Sequence, residues 1–118
     1  MINLMNLKET FNRFHGEYEK WFSAKKPRGI LISAIKLGEE AGEVLEAIVA
    51  FSGHSKSKIK KLLKKGQTPK QAVKEELGDV IVVCLNIATL CGITHDELFE
   101  SAGEKAKART EKLAEAIK

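Results

Sequence analysis

Two acidic hexapeptides carry the residues best suited to chemistry: Glu39-Glu40-Ala41-Gly42-Glu43-Val44 and Glu75-Glu76-Leu77-Gly78-Asp79-Val80. The second nearly repeats the first, and both lie in long segments of helical periodicity. At about 100° of turn per residue, Glu40 and Glu43 fall on one flank of their helix, with Lys36 beside them. Glu39 and Glu46 point roughly the opposite way, toward water. In the second copy Glu76, Asp79 and Asn86 share a flank, and Glu75 faces away. Each helix thus offers one i, i+3 carboxylate pair. Antiparallel packing of the two helices lets the four carboxylates converge. Such a group repels itself, and at least one member takes up a proton unless a cation neutralises it. All-oxygen ligands suit Mg²⁺ or Mn²⁺ rather than zinc or copper. Glu40, Glu43, Glu76 and Asp79 are therefore the candidate metal ligands and catalytic residues, with Lys36 and Asn86 placed to meet a substrate.

The elements that must position these groups are legible from apolar spacing. Ile30, Ala34, Leu37, Ala41, Val44, Ile48 and Phe51 recur at steps of three and four, and so do Val73, Leu77, Val80, Cys84, Ile87 and Cys91. Each set predicts the buried stripe of a helix. Gly42 and Gly78 each cost about 1 kcal/mol against alanine inside a helix, so a close approach is expected at both. An earlier helix is predicted over about Asn6 to Phe22, with Asn6 and Glu9 as its capping box. It holds five of the seven aromatics.

A basic loop, Ser23 to Gly29, is expected to follow. It is marked by Pro27 and Gly29, and Arg28 with the nearby Trp21 is suited to holding a nucleotide. The first acidic helix is expected to end near Gly53. A short amphipathic helix is expected over Ser55–Lys65, ended by Gly66. Thr68-Pro69-Lys70-Gln71 is a start signal for the second acidic helix, and Thr94 with Glu97 for the last one. On that last helix Leu98, Ala102, Ala106, Leu113 and Ile117 mark the apolar side. Lys105 and Arg109 lie at its edge, where they can cover the core or reach over the carboxylates to phosphate oxygens. The expected fold is a single all-α domain over residues 1–118. It is a four-helix-type bundle with an extra short basic helix, and its second and third main helices are antiparallel and carry the acidic motifs.

Composition sets the remaining bounds. At 118 residues, 43% hydrophobic and 31% charged, the chain fits one domain with a modest core. It has no apolar run of the roughly 20 residues a membrane span needs, and no secretory signal is expected. Cys84 and Cys91, seven apart on the predicted buried face, are too distant along a helix for a disulfide. Reduced buried thiols and a cytoplasmic setting are expected. The net charge of +4 comes from one segment: His54 to Lys74 holds eight lysines and no acid, against 12 basic and 16 acidic residues elsewhere. This segment is expected to be peripheral to the carboxylates, drawing anions in by charge alone. No phosphate-binding glycine loop, Ser/His/Asp arrangement or Cys-x-x-Cys pair is present.

With these residues in place, the sequence resembles the MazG-like all-α nucleoside-triphosphate pyrophosphohydrolases. The likeness rests on Leu37-Gly38-Glu39-Glu40-Ala41-Gly42-Glu43, a spacer, and Glu75-Glu76-Leu77-Gly78-Asp79-Val80. Phe14-His15 with Trp21 resembles the first helix of many members, and Lys105 with Arg109 resembles their basic last helix. The resemblance implies Mg²⁺ held by the motif carboxylates and cleavage of a nucleoside triphosphate to monophosphate and pyrophosphate. It implies His15, Trp21, Lys105 and Arg109 as substrate-binding residues, and a homodimer or homotetramer. Two departures stand out: the spacer from Glu43 to Glu76 is longer than usual and strongly basic, and Ala108 occupies a position where many members carry asparagine. Two other classes compete with the enzyme. One is a helical binding module that contacts nucleic acid or an acidic partner through the lysines; the other is an inactive bundle of the same family.

Overall fold

A computed structural model of the protein describes residues 9, 10, 13, 16, 17, 20 and 26–117. The six early residues are helical; the expected capping box of the first helix and its aromatic stripe otherwise lie outside the described residues. Four helices follow, α1 (Lys26–Phe51), α2 (Lys56–Lys64), α3 (Pro69–Leu90) and α4 (His95–Ile117), with no strand among the described residues. The architecture is all-α. None of these helices is long and apolar enough to cross a membrane.

Short-range chemistry fixes most of the boundaries. The Ser55 hydroxyl accepts from the Lys58 amide at the start of α2. At α3 the Thr68 hydroxyl accepts from the Gln71 amide at 3.2 Å, while the Gln71 side chain accepts from the Thr68 amide at 2.8 Å. Thr94 and Glu97 form the same reciprocal pair at α4, both at 3.1 Å. Each pair satisfies two amides that have no partner inside their helix. Gly53, Gly66 and Gly92 follow the first three helices with positive φ angles of 78°, 71° and 74°, where a side chain would be strained.

One boundary differs from expectation. Lys26 to Gly29 are helical rather than looped, because Pro27 falls in the first turn, where its missing N–H has no helical partner to lose.

Helices α1 and α3 form the main packing unit, and α2 bridges them at one end. They run antiparallel: Glu40 and Glu43 meet Glu76 and Asp79, while farther along α1 Ala47 and Ala50 share a cavity wall with Ala72 near the start of α3. The buried apolar residues are Ala47, Ala50, Ala72, Val83, Leu85, Ala88 and Leu90, four of them alanine. Small side chains on both sides of a helix contact let the backbones approach. That closeness lets short acidic side chains reach across.

The phase of both long helices differs from the apolar stripes. On α1 the buried positions are Gly29, Ser33, Glu40, Ala47 and Ala50, whereas Ala34, Ala41, Ile48 and Phe51 are exposed. Glu40 therefore sits at the centre of the intrachain face, not on its flank. On α3 Leu77 and Cys91 are exposed, and the buried side runs through Ala72 and Val83. Cys84 is half-buried and Cys91 ends the helix, its amide donating to the Ile87 and Ala88 carbonyls; the expectation of two buried thiols fails at Cys91. No atom lies within 4 Å of where a Cβ at Gly42 or Gly78 would stand. Their expected close approach is not made among the described residues. Along α4 only His95 and Leu98 are half-buried, and Ala102, Ala106, Leu113 and Ile117 are exposed, so its apolar side is uncovered.

Candidate functional site

Where α1 and α3 face each other, each contributes two carboxylates. One oxygen from each of Glu40, Glu43, Glu76 and Asp79 lies within 4.8 Å of the other three. The group is graded in depth: Glu40 is 5% exposed, Glu76 is half-buried, and Glu43 and Asp79 open to solvent. One side of the cluster is thus sealed by the helix contact and the other is accessible.

The electrostatics are unbalanced. Lys36 lies one turn before Glu40, its Nζ 3.1 Å from Glu40 Oε1 and 3.6 Å from a Glu39 oxygen. The hydrogen bond to Glu40 is the main reason the Lys36 ammonium is held above its ordinary range. Among the described residues Lys36 is the cation with an ion pair to the four clustered acids. The Oε2 atoms of Glu40 and Glu76 are buried without a hydrogen-bond partner, a state that costs on the order of 1–3 kcal/mol per group. Glu76 responds by holding its proton. Burial, a hydrogen bond with Glu43, and the charges of Glu43, Asp79 and Glu40 push it up from 4.5 to about 7.

These observations test whether a cation suits the site. Two orphaned buried oxygens, a carboxyl pushed up to about 7 by burial and its acidic neighbours, and an all-oxygen donor set together match a hard divalent ion. The four residues fit.

The other sequence candidates divide. Lys36 is at the cluster, engaged with Glu40 and Glu39. Asn86 is half-buried on α3, seven residues beyond Asp79 and so about 10 Å further along the axis. Lys105 and Arg109 are exposed on α4, and neither makes an ion pair among the described residues. The backbone of Arg28 belongs to the first turn of α1, and its side chain lies outside the described residues, as do His15 and Trp21. Glu39 is exposed as expected. Glu75 is also exposed, accepting a hydrogen bond from the Gln67 side chain. Glu46 is exposed as expected and also pairs with α2, its Oε1 3.8 Å from Lys58 Nζ.

A second feature was not anticipated. A cavity of about 410 Å³ between α1, α2 and α3 is lined by Glu43 and Glu76 together with Lys58, Lys61, Lys65 and Gln67. Three lysines of the basic segment thus share a cavity wall with two of the clustered carboxylates, closer than a peripheral segment would stand. The signal was present in the spacing, since Lys58, Lys61 and Lys65 stand at i, i+3 and i+7, one face of a helix.

Comparison with known proteins agrees with the geometry. Neither curated proteins nor solved structures gave a match to the chain. A family model, that of the MazG nucleotide pyrophosphohydrolase domain, matches residues 32–114. The span covers most of the chain and contains all four clustered carboxylates. With that match and the resemblance of both acidic motifs, the chain belongs to the MazG nucleotide pyrophosphohydrolase family.

Proposed function

We propose that the protein is a Mg²⁺-dependent nucleoside triphosphate pyrophosphohydrolase that cleaves a ribo- or deoxyribonucleoside triphosphate into the monophosphate and pyrophosphate. The observation that carries this is the convergence of Glu40, Glu43, Glu76 and Asp79 with two buried oxygens unpaired. A triphosphate is repelled by four carboxylates alone, so the site needs a cation between the two.

Glu40, Glu43, Glu76 and Asp79 would hold Mg²⁺, with Mn²⁺ a chemically similar substitute. When bound, the ion neutralises the cluster and polarises phosphoryl oxygens. The chain supplies the rest. Lys36 fixes Glu40 by an ion pair, so one buried ligand is positioned before substrate arrives. The exposed carboxylates, Glu43 and Asp79, reach the solvent side, where one of them can accept the proton of an attacking water. Glu40, sealed in the helix contact, is placed to hold rather than to exchange protons. Attack at the α-phosphorus then releases pyrophosphate.

The test is a panel of ribo- and deoxyribonucleoside triphosphates with Mg²⁺ or with chelator, its products separated by chromatography. Monophosphate and pyrophosphate in a 1:1 ratio, formed only with the metal, are expected. Diphosphate and orthophosphate as products, or no turnover of any triphosphate, would refute the assignment.

The apolar surface supports a further part of this proposal. Leu31, Ile35, Leu45 and Phe51 on α1 are each about 60% exposed, a density of uncovered side chains uncommon on a monomer. The protein is proposed to work as a homodimer or homotetramer that covers this face.

A further inference from the structure

The lysines of α2 and its C-cap Lys65 fall into two sets on different sides of the helix. Lys58, Lys61 and Lys65 lie within about 60° of one another around the axis, and Lys56, Lys60 and Lys64 are centred about 130° away. Only the first set lines the cavity that Glu43 and Glu76 also line. The cavity's volume, about 410 Å³, lies within the range of small-ligand sites. Lys58 is engaged with Glu46 at 3.8 Å, whereas Lys61 and Lys65 make no ion pair among the described residues. Gln67, from the α2–α3 connection, adds a side-chain amide to the same wall.

These positions give the cavity two chemically distinct walls. Glu43 and Glu76 belong to the carboxylate cluster, so a bound cation would neutralise them. What then remains is the lysine wall, offset in part by Glu46. Its charge is suited to a compact polyanion adjoining the cation, which describes the terminal phosphates of a triphosphate. Lys105 and Arg109, the sequence candidates for that task, do not line this cavity.

We propose that Lys58, Lys61 and Lys65 form the subsite for the β- and γ-phosphates, the part of the substrate that leaves as pyrophosphate. The inference rests on the pyrophosphohydrolase assignment and adds a residue set that selects triphosphates over monophosphates. Lysine suits this role as a mobile point charge with three donors, which can follow the leaving group.

The test uses inorganic pyrophosphate with Mg²⁺, titrated calorimetrically into the full chain, so that base preference does not enter. K58Q/K61Q/K65Q is expected to weaken pyrophosphate binding at least about tenfold, through loss of charge-assisted hydrogen bonds. K56Q/K60Q/K64Q, equal in charge removed, is expected to stay within about twofold of the unsubstituted chain because it leaves the cavity wall intact. Circular dichroism checks folding; should the first variant misfold, Lys61→Gln alone replaces it, with an expected loss of about threefold. With a triphosphate substrate, the cavity-facing variant should raise KM more than it lowers kcat.

Equal weakening by the two triple variants would show a diffuse charge effect and overturn the subsite. So would pyrophosphate that fails to bind the unsubstituted chain, or that binds the cavity-facing variant undiminished. The two proposals separate cleanly. An unsubstituted chain that hydrolyses triphosphates while the variants bind pyrophosphate alike sinks only the subsite. A chain that hydrolyses none, yet loses pyrophosphate binding in the cavity-facing variant alone, sinks the enzymatic assignment and leaves an anion site.

Discussion

Glu76→Gln isolates the repulsion stored in the carboxylate cluster, because it keeps the side-chain shape and removes the charge. In the metal-free protein Glu76 titrates at about 7 rather than 4.5, through burial, its bond to Glu43 and the neighbouring acids. The folded chain therefore binds more protons than the unfolded chain between these two values. Stability from this group is fully present below pH 4.5 and is lost as pH rises toward 7 and beyond. At about 1.36 kcal/mol per pKa unit the full shift corresponds to about 3 kcal/mol. Glu76 is only half-buried, so solvent screening reduces this to the order of 1–2 kcal/mol.

Thermal unfolding by circular dichroism, in chelator and at fixed protomer concentration, reads the effect directly. From pH 5 to 8 the unsubstituted chain should lose about 5–10 °C relative to Glu76→Gln, since 1 kcal/mol moves the midpoint of a domain this size about 4–8 °C. Added Mg²⁺ should recover the loss in the unsubstituted chain and do little for the variant. Metal binding at pH 7 should also release about half a proton from this site, measurable by calorimetry in buffers of different ionisation enthalpy. Parallel pH curves for the two proteins would refute the reasoning, because the four carboxylates would then not be crowded in solution.

Two further outcomes follow from the same geometry. Glu40→Gln should lower metal-dependent hydrolysis at least about a hundredfold, about 2.7 kcal/mol of transition-state stabilisation, whereas Glu39→Gln and Glu75→Gln should change it only a few-fold. Steady-state kinetics on all three would contradict the assigned helical phase if the losses were equal. Leu45→Glu, at a position 65% exposed in the single chain, should shift the assembly toward monomer in sedimentation at micromolar protomer concentration; an unchanged sedimentation coefficient would exclude this face as the contact.

Different parts of the structure were legible in the sequence to different degrees, and the reason is range. Helix ends depend on a few adjacent residues, so Thr68-Pro69-Lys70-Gln71, Thr94 with Glu97, and the glycines at 53, 66 and 92 announce themselves. The acidic pairs were equally plain, because i, i+3 spacing holds on any helix. What periodicity leaves open is which neighbour an apolar stripe faces. In α1 the buried side chains are small or acidic, namely Ser33, Glu40, Ala47 and Ala50, while Leu31, Ile35, Leu45 and Phe51 look outward. A stripe of large apolar residues reads as the core of its own chain, so apolar spacing alone points to the outward face of α1 rather than to the buried one.

That misassignment is informative about how such a site can be built. Four carboxylates within 4.8 Å need two helix backbones close together, and large apolar side chains between the helices would hold them apart. Alanines at 47, 50 and 72 and a serine at 33 permit the approach, but they bury little area, and apolar burial contributes only about 25 cal/mol per Å². No large side chain among the described residues is fully buried. Stability must then come from elsewhere, and the largest uncovered resource is the outward apolar face of α1. On this argument the acidic site and the proposed assembly are linked: the helix contact is kept thin so the carboxylates can meet. The large residues displaced from it become the surface on which a second copy packs. Leu45→Glu should therefore lower the unfolding midpoint as well as dissociate the assembly, and a monomer that kept full stability would break the link.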